Sequence, residues 1–255
     1  MDYIFLHNEG LLNMGYSVFI STMTHENKNK NTPEPNRVID LGFDCKIISL
    51  GGTCYSRTHP ERFHLYDFKK TREVRMPFDG CVTPYSELCA MLNTNFQNVF
   101  DGLTQGKKVI KTKYATYNHE ESLNLDDFRE QMAKRISQFN EELRSTDMIV
   151  FFLTHDNFPD ELISIIKENY PTLKFKIFCL NNDSNKPTKN DDFCKFISIE
   201  KPTKNYIEWR HREKPHGKMF EKKVLSELLM FLSDLSGKTY DLESIFSMRR
   251  KKISY

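Results

Sequence analysis

A chain of 255 residues can bury one large core or two small ones, and 38% hydrophobic with 13% aromatic residues suits a packed globule rather than a disordered polymer. A formal net charge of +2 makes no general case for nucleic acid or for an acidic partner. Six cysteines with no Cys-x-x-Cys pair are too sparse for a disulfide framework, and neither a secretory leader nor an apolar run of about 18 residues is present, so the reading is a cytoplasmic protein with reduced thiols and no membrane span.

In chain order, residues 1–44 read as an N-terminal extension that closes on a polar linker, His25 to Asn36. Residues 45–240 form the main domain, opening with a strand over 46–50. A short helix follows within 56–65, which Pro60 would allow only from that residue onward. A short strand over 72–79 is closed by Pro77, and a helix begins near Pro84. Residues 101–118 look irregular apart from a short strand at 109–111. Phe128, Met132, Ile136, Phe139 and Leu143 recur at helical spacing, with Asn124 as cap. The apolar run 148–153 reads as a strand covered on both faces. It is followed by a helix over 159–170, strands at 175–180 and 193–199, and an amphipathic helix over 218–235. Strands alternating with helices predict an α/β fold, a three-layer sandwich with a mainly parallel sheet in which 46–50 is central and flanked by 148–153. Residues 241–255 read as a C-terminal tail with a basic tip, Arg249 to Lys252.

The densest chemical signal is Ser49-Leu-Gly-Gly-Thr-Cys54. A strand that runs into a glycine turn presents the next residue at the carboxyl edge of a sheet, where open α/β folds place their ligands. Gly51 and Gly52 let backbone approach a ligand closely, and their N–H groups could face an oxyanion. Cys54 thus stands where a nucleophile is useful, although a buried structural thiol is the commoner identity of a cysteine. Such a nucleophile needs a base, and His119 and His155 compete for that role from loops of the same edge. No His pair has the helical spacing of a zinc site, and no Gly-rich dinucleotide or P-loop motif is present, so neither metal nor cofactor is required.

Ser49-Leu-Gly-Gly-Thr-Cys54, Arg75-Met-Pro-Phe-Asp79 and Asn118-His-Glu120, followed by a helix and the apolar strand 149–153, resemble a bacterial and viral family described as papain-like cysteine peptidases of otherwise unknown function. The resemblance spans roughly residues 45–180. It implies Cys54 as nucleophile and His119 as base, with Asp79 orienting the base or binding substrate and Glu120 as a carboxylate beside the histidine at the substrate site. Gly80 stands where the family has Trp, which implies an altered pocket wall, and Glu120 where it has Asp. The strand–Gly–Gly–Cys layout is also similar to SGNH-hydrolase-like esterases and to Rossmann-like polysaccharide-biosynthesis proteins proposed to transfer acyl groups from coenzyme A. The expected substrate is a small molecule, glycan or peptide, with a coenzyme A thioester as donor if the reaction is acyl transfer. The rival expectation is a non-enzymatic or degenerate module that binds a sugar or nucleotide at the sheet edge.

Overall fold

The computed structural model describes residues 45–65, 75–120, 123–145, 148–182, 185–203 and 208–249. The expected extension 1–44 and the tip from Arg250 onward lie outside the described residues.

Two seven-residue apolar strands anchor the architecture: β6 (Met148–Thr154) and β7 (Phe175–Asn181). They pair in parallel, with β1 (Cys45–Ser49) parallel to β6 on one side and β9 (Cys194–Ser198) parallel to β7 on the other. A two-residue strand β8 (Lys189–Asn190) closes the far edge antiparallel to β9, giving the order β1-β6-β7-β9-β8. The mainly parallel α/β sheet is therefore as expected, but β1 is not central. Among the described residues it pairs with β6 alone. The reason is length and burial: β6 and β7 are buried along almost their whole length and take the middle, whereas β1 has five residues and begins with the half-buried Cys45 and Lys46.

Alternate residues feed two cores, one on each face. Ile48, Phe151, Leu153 and Ile177 pack with Phe128, Met132, Phe139 and Leu143 of the helix Leu125–Ser145. The same core takes Leu88 and Leu92 from Tyr85–Asn93, and Leu162 and Ile166 from Asp160–Asn169. Ile47, Val150, Phe152 and Phe178 pack on the other face with Val224, Leu225, Leu228 and Leu232 of Pro215–Ser236. In chain order these helices are α2 (Tyr85–Asn93), α3 (Leu125–Ser145), α4 (Asp160–Asn169) and α6 (Pro215–Ser236), after α1 (Tyr55–Arg62) and the short α5 (Glu208–His211). Asn124 caps α3 as expected, its Oδ1 accepting from the Asp127 N–H at 2.8 Å. Past residue 240 the chain forms a further helix, α7 (Leu242–Ser247), capped by Asp241 and packed on the second core through the buried Ile245.

Elsewhere the local reading needs correction. Met76 to Asp79 is not a strand but a turn, closed by the Asp79 N–H donating to the Met76 carbonyl at 3.1 Å, with Pro77 at the position that fixed φ favours. The irregular region 101–118 holds three two-residue strands, β3 (Thr104–Gln105), β4 (Ile110–Lys111) and β5 (Thr116–Tyr117), which join β2 (Cys81–Val82) in a second, antiparallel sheet of order β2-β5-β4-β3. Helix α1 begins five residues ahead of Pro60, which lies inside it.

Every residue of α1 is buried, His59 included. Its imidazole packs among the rings of Tyr55, Phe63 and Phe152, and its Nδ1 is 2.7 Å from the Tyr55 hydroxyl. Burial first, and the Arg62 charge second, push its pKa down to about 3. Unfolded, the same group takes a proton near 6.5. The stability that depends on neutral His59 is complete above pH 6.5. It is lost as the pH falls toward 3, at up to about 1.4 kcal/mol per pH unit. Urea unfolding at pH 7, 6, 5 and 4 should show this slope in the wild type and a shallower one in His59→Gln. Equal slopes would assign the acid sensitivity to other groups.

Candidate active site

The turn after β1 is built by close approach. Gly51 and Gly52 both have positive φ, 77° and 79°, which L side chains resist. A Cβ on Gly52 would lie 2.0 Å from the Thr154 carbonyl oxygen, so only glycine lets this turn lie against the end of β6. The Thr154 hydroxyl donates to the Gly51 carbonyl at 3.2 Å and meets the Thr53 hydroxyl at 3.0 Å. Thr53 Oγ1 in turn accepts from the Tyr55 N–H at 3.3 Å. This sets Cys54 at the N-cap of α1 with helical φ and ψ, half-buried, at the positive end of the helix dipole.

The histidine comes from the second sheet. Cys81 of β2 pairs with Tyr117 of β5, and the Tyr117 ring packs edge-on against Phe128 of α3 at 4.9 Å. Two residues past β5, the Nε2 of His119 lies 3.7 Å from the Sγ of Cys54, which also faces the Cys81 carbonyl at 4.0 Å. Gly80, with φ 72°, lies beneath the imidazole, and a Cβ there would stand 3.4 Å from His119 Cδ2. A single Cβ would thus meet the histidine ring only at ordinary contact distance, and it is the positive φ that favours glycine here. His155, the rival base, stacks on Tyr85 with centroids 3.9 Å apart and planes 8° apart. Burial lowers its pKa.

The two carboxylates do other work. Asp79 is buried; its Oδ2 accepts from the Met76 N–H at 2.9 Å and pairs with Arg57 Nε at 3.4 Å. Burial pushes its carboxyl up, and the Arg57 charge pulls it back down. Asp79 therefore closes its turn and braces α1, three residues after the cysteine; it does not orient the imidazole. Glu120 is likewise buried, held by Arg135 of α3 at 2.7 Å and by Arg75 at 3.3 Å. It anchors the histidine segment to α3. Of the oxyanion candidates, the Gly51 N–H is already engaged, donating to Ser49 Oγ at 3.2 Å. The Gly52 N–H makes no hydrogen bond among the described residues and lines a cleft.

That cleft, of about 320 Å³, lies at the sheet edge where the sequence reading expects a ligand, but its wall residues Tyr85, Asn182 and Lys201 were missed. Its walls come from the carboxyl ends of β1, β6, β7 and β9 through Gly52, Thr154, Asn182 and Lys201, and from Tyr85 and His155. The Gly51-Gly52 turn and the strand end Thr154-His155-Asp156 are its local signals, whereas Tyr85 arrives from a distant helix. Among the other thiols, burial pushes Cys81 up to about 12 and Cys89 up to about 11, and raises Cys179 and Cys194 further. No group of three or more His, Cys, Asp or Glu side chains suited to a metal ion occurs among the described residues. Nor is any described helix long and apolar enough to cross a membrane.

Compared with protein-family models, with curated proteins and with solved structures, the chain finds no match.

Proposed function

We propose that the protein is a cysteine-nucleophile enzyme that acts by acyl transfer, with Cys54 and His119 as its working pair. The observation that carries this reading is the 3.7 Å approach of His119 Nε2 to the Cys54 sulfur at the start of a helix. In the reaction His119 takes the thiol proton, and the thiolate attacks a carbonyl carbon. The Gly52 N–H stabilises the oxyanion as the leaving group departs with the proton from His119. The acceptor of the resulting thioester is water in a peptidase or esterase and a hydroxyl in an acyltransferase, for which a coenzyme A thioester is a suitable donor. No metal or bound cofactor enters these steps. The fold reading that goes with this is a Rossmann-like or SGNH-hydrolase-like layering, in which the nucleophile follows the first parallel strand. The papain-like family resemblance remains part of the proposal at the level of motif order, in a cytoplasmic setting that keeps the thiol reduced.

A binding module without catalysis is the second reading. It is favoured by the commitment of Asp79 and Glu120 to arginines, which leaves neither carboxylate to orient the base. Brief exposure to 4-nitrophenyl acetate, acid quenching and peptide mapping separate the two. The enzyme reading expects one acetyl group on Cys54 and a burst of 4-nitrophenolate that disappears in Cys54→Ser. Acetyl groups spread over lysines, with none on Cys54, would leave the binding module.

A further inference from the structure

The cleft beside Cys54 has a composition that selects among substrates. It meets the cysteine segment at Gly52 and Thr53, the two residues that precede Cys54, while Cys54 and His119 themselves stand outside its lining. One side holds an uncharged aromatic pair, Tyr85 stacked face to face on His155, and the lowered pKa of the imidazole keeps it neutral at pH 7. The Tyr85 hydroxyl accepts from the Leu162 N–H at 3.1 Å, which holds that ring to α4. Asn182 and Asp156 line the same space, and neither side chain makes a hydrogen bond among the described residues. An amide offers two donors and an acceptor, and a carboxylate offers acceptors only; together they match hydroxyl groups, each of which both donates and accepts. Among the described lining residues Lys201 is the sole lysine or arginine, and the Asp156 carboxylate carries the opposite charge. Nearby, Lys186 is held by the Asp156 carbonyl and by Asn157 Oδ1 at 2.6 Å. Among the described residues a phosphate or pyrophosphate would therefore meet separate lysines and no arginine fork.

We infer that this cleft binds a neutral saccharide, packed against the uncharged Tyr85–His155 stack with hydroxyl groups toward Asn182 and Asp156. The inference rests on the reading of Cys54 and His119 as an acyl-transfer pair, and it names the substrate class of that site. The bonds that change are the same in either direction. When the acyl group leaves the sugar, the ester C–O bond breaks as the C–S bond to Cys54 forms, and the sugar oxygen takes its proton from His119. When the sugar receives an acyl group from acyl-Cys54, C–O forms, C–S breaks, and His119 passes the hydroxyl proton to the departing sulfur.

The test uses the full chain carrying Cys54→Ala, which binds without turnover. Saturation-transfer NMR is run with the methyl glycosides of glucose, galactose, mannose and N-acetylglucosamine, with inorganic pyrophosphate added afterwards as an anionic competitor. At least one glycoside should take up saturation, persist when pyrophosphate is added, and bind about tenfold more weakly after Asn182→Ala or His155→Ala, the value of one lost contact of this kind. Asp156→Ala serves in place of either variant that fails to fold. Saturation of none of the four glycosides, displacement by pyrophosphate, or binding unchanged in the variants would overturn the inference. Alkylation of Cys54 in the wild type, measured separately, keeps the two ideas apart. Fast labelling without glycoside binding removes the saccharide and keeps the nucleophile; slow labelling with binding does the reverse.

Discussion

Replacing His119 with alanine should slow iodoacetamide alkylation of Cys54 at pH 7 by up to about 30-fold, the limit set by an unassisted thiol with a pKa near 8.5, which is only about 3% ionised there. The structure supplies two aids to the thiolate: the His119 Nε2 at 3.7 Å and the amino end of α1. The helix end survives the substitution, so some activation should remain, and the variant should regain speed as the pH is raised toward 9. Gly80 beneath the ring and Glu120 beside it belong to the frame that places this imidazole, and both stay intact in His119→Ala. A labelling rate unchanged from wild type across pH 6 to 9 would remove His119 from the reaction. Circular dichroism on the same sample establishes that the variant is folded.

The second large effect falls on stability. Gly52→Ala should cost about 4 kcal/mol, combining 1–2 kcal/mol for an L residue at positive φ with 1–3 kcal/mol for overpacking. The new Cβ would lie 2.0 Å from the Thr154 carbonyl oxygen and 2.6 Å from its Oγ1, and a backbone oxygen cannot rotate away. The turn must lift off β6, which also moves Cys54. Gly51→Ala is the internal control. It has similar φ, 77°, but its nearest neighbour is Thr83 Oγ1 at 3.4 Å, so only the backbone strain of about 1–2 kcal/mol applies. Chemical denaturation of the two variants should rank Gly52→Ala as clearly worse. Equal losses would mean that the close approach to Thr154 is not what fixes the turn.

What the sequence made legible was local. The apolar runs of β6 and β7 and the stripes of α3 and α6 are written in consecutive residues, so strands, helices and a mainly parallel sheet could be read directly. Cys54 after a glycine turn is also a local pattern, and motif resemblance chose His119 over His155. What could not be read depends on partners far along the chain. The edge position of β1 follows from competition with longer strands. Asp79 looked available for the base until Arg57, 22 positions earlier in the chain, was seen to bind it. Glu120 is claimed by Arg135 on α3 and by Arg75. Strands of two residues, such as β2 and β5, carry too little periodicity to detect, yet they deliver the histidine. The cleft combines four strand ends with Tyr85 from α2, a juxtaposition that no window of sequence contains.

The central claim, an activated thiol at Cys54, is tested most directly by competition among the cysteines of one molecule. Cys81, Cys89, Cys179 and Cys194 are buried with raised pKa values, which leaves the half-buried Cys45 as the fair internal reference. Native wild-type protein at pH 7 is pulsed with substoichiometric iodoacetamide, quenched and mapped by mass spectrometry. The account predicts that Cys54 takes up label at least about tenfold faster than Cys45, as a thiolate outpaces a thiol. Equal, slow labelling of Cys54 and Cys45 would contradict it and make Cys54 a structural cysteine.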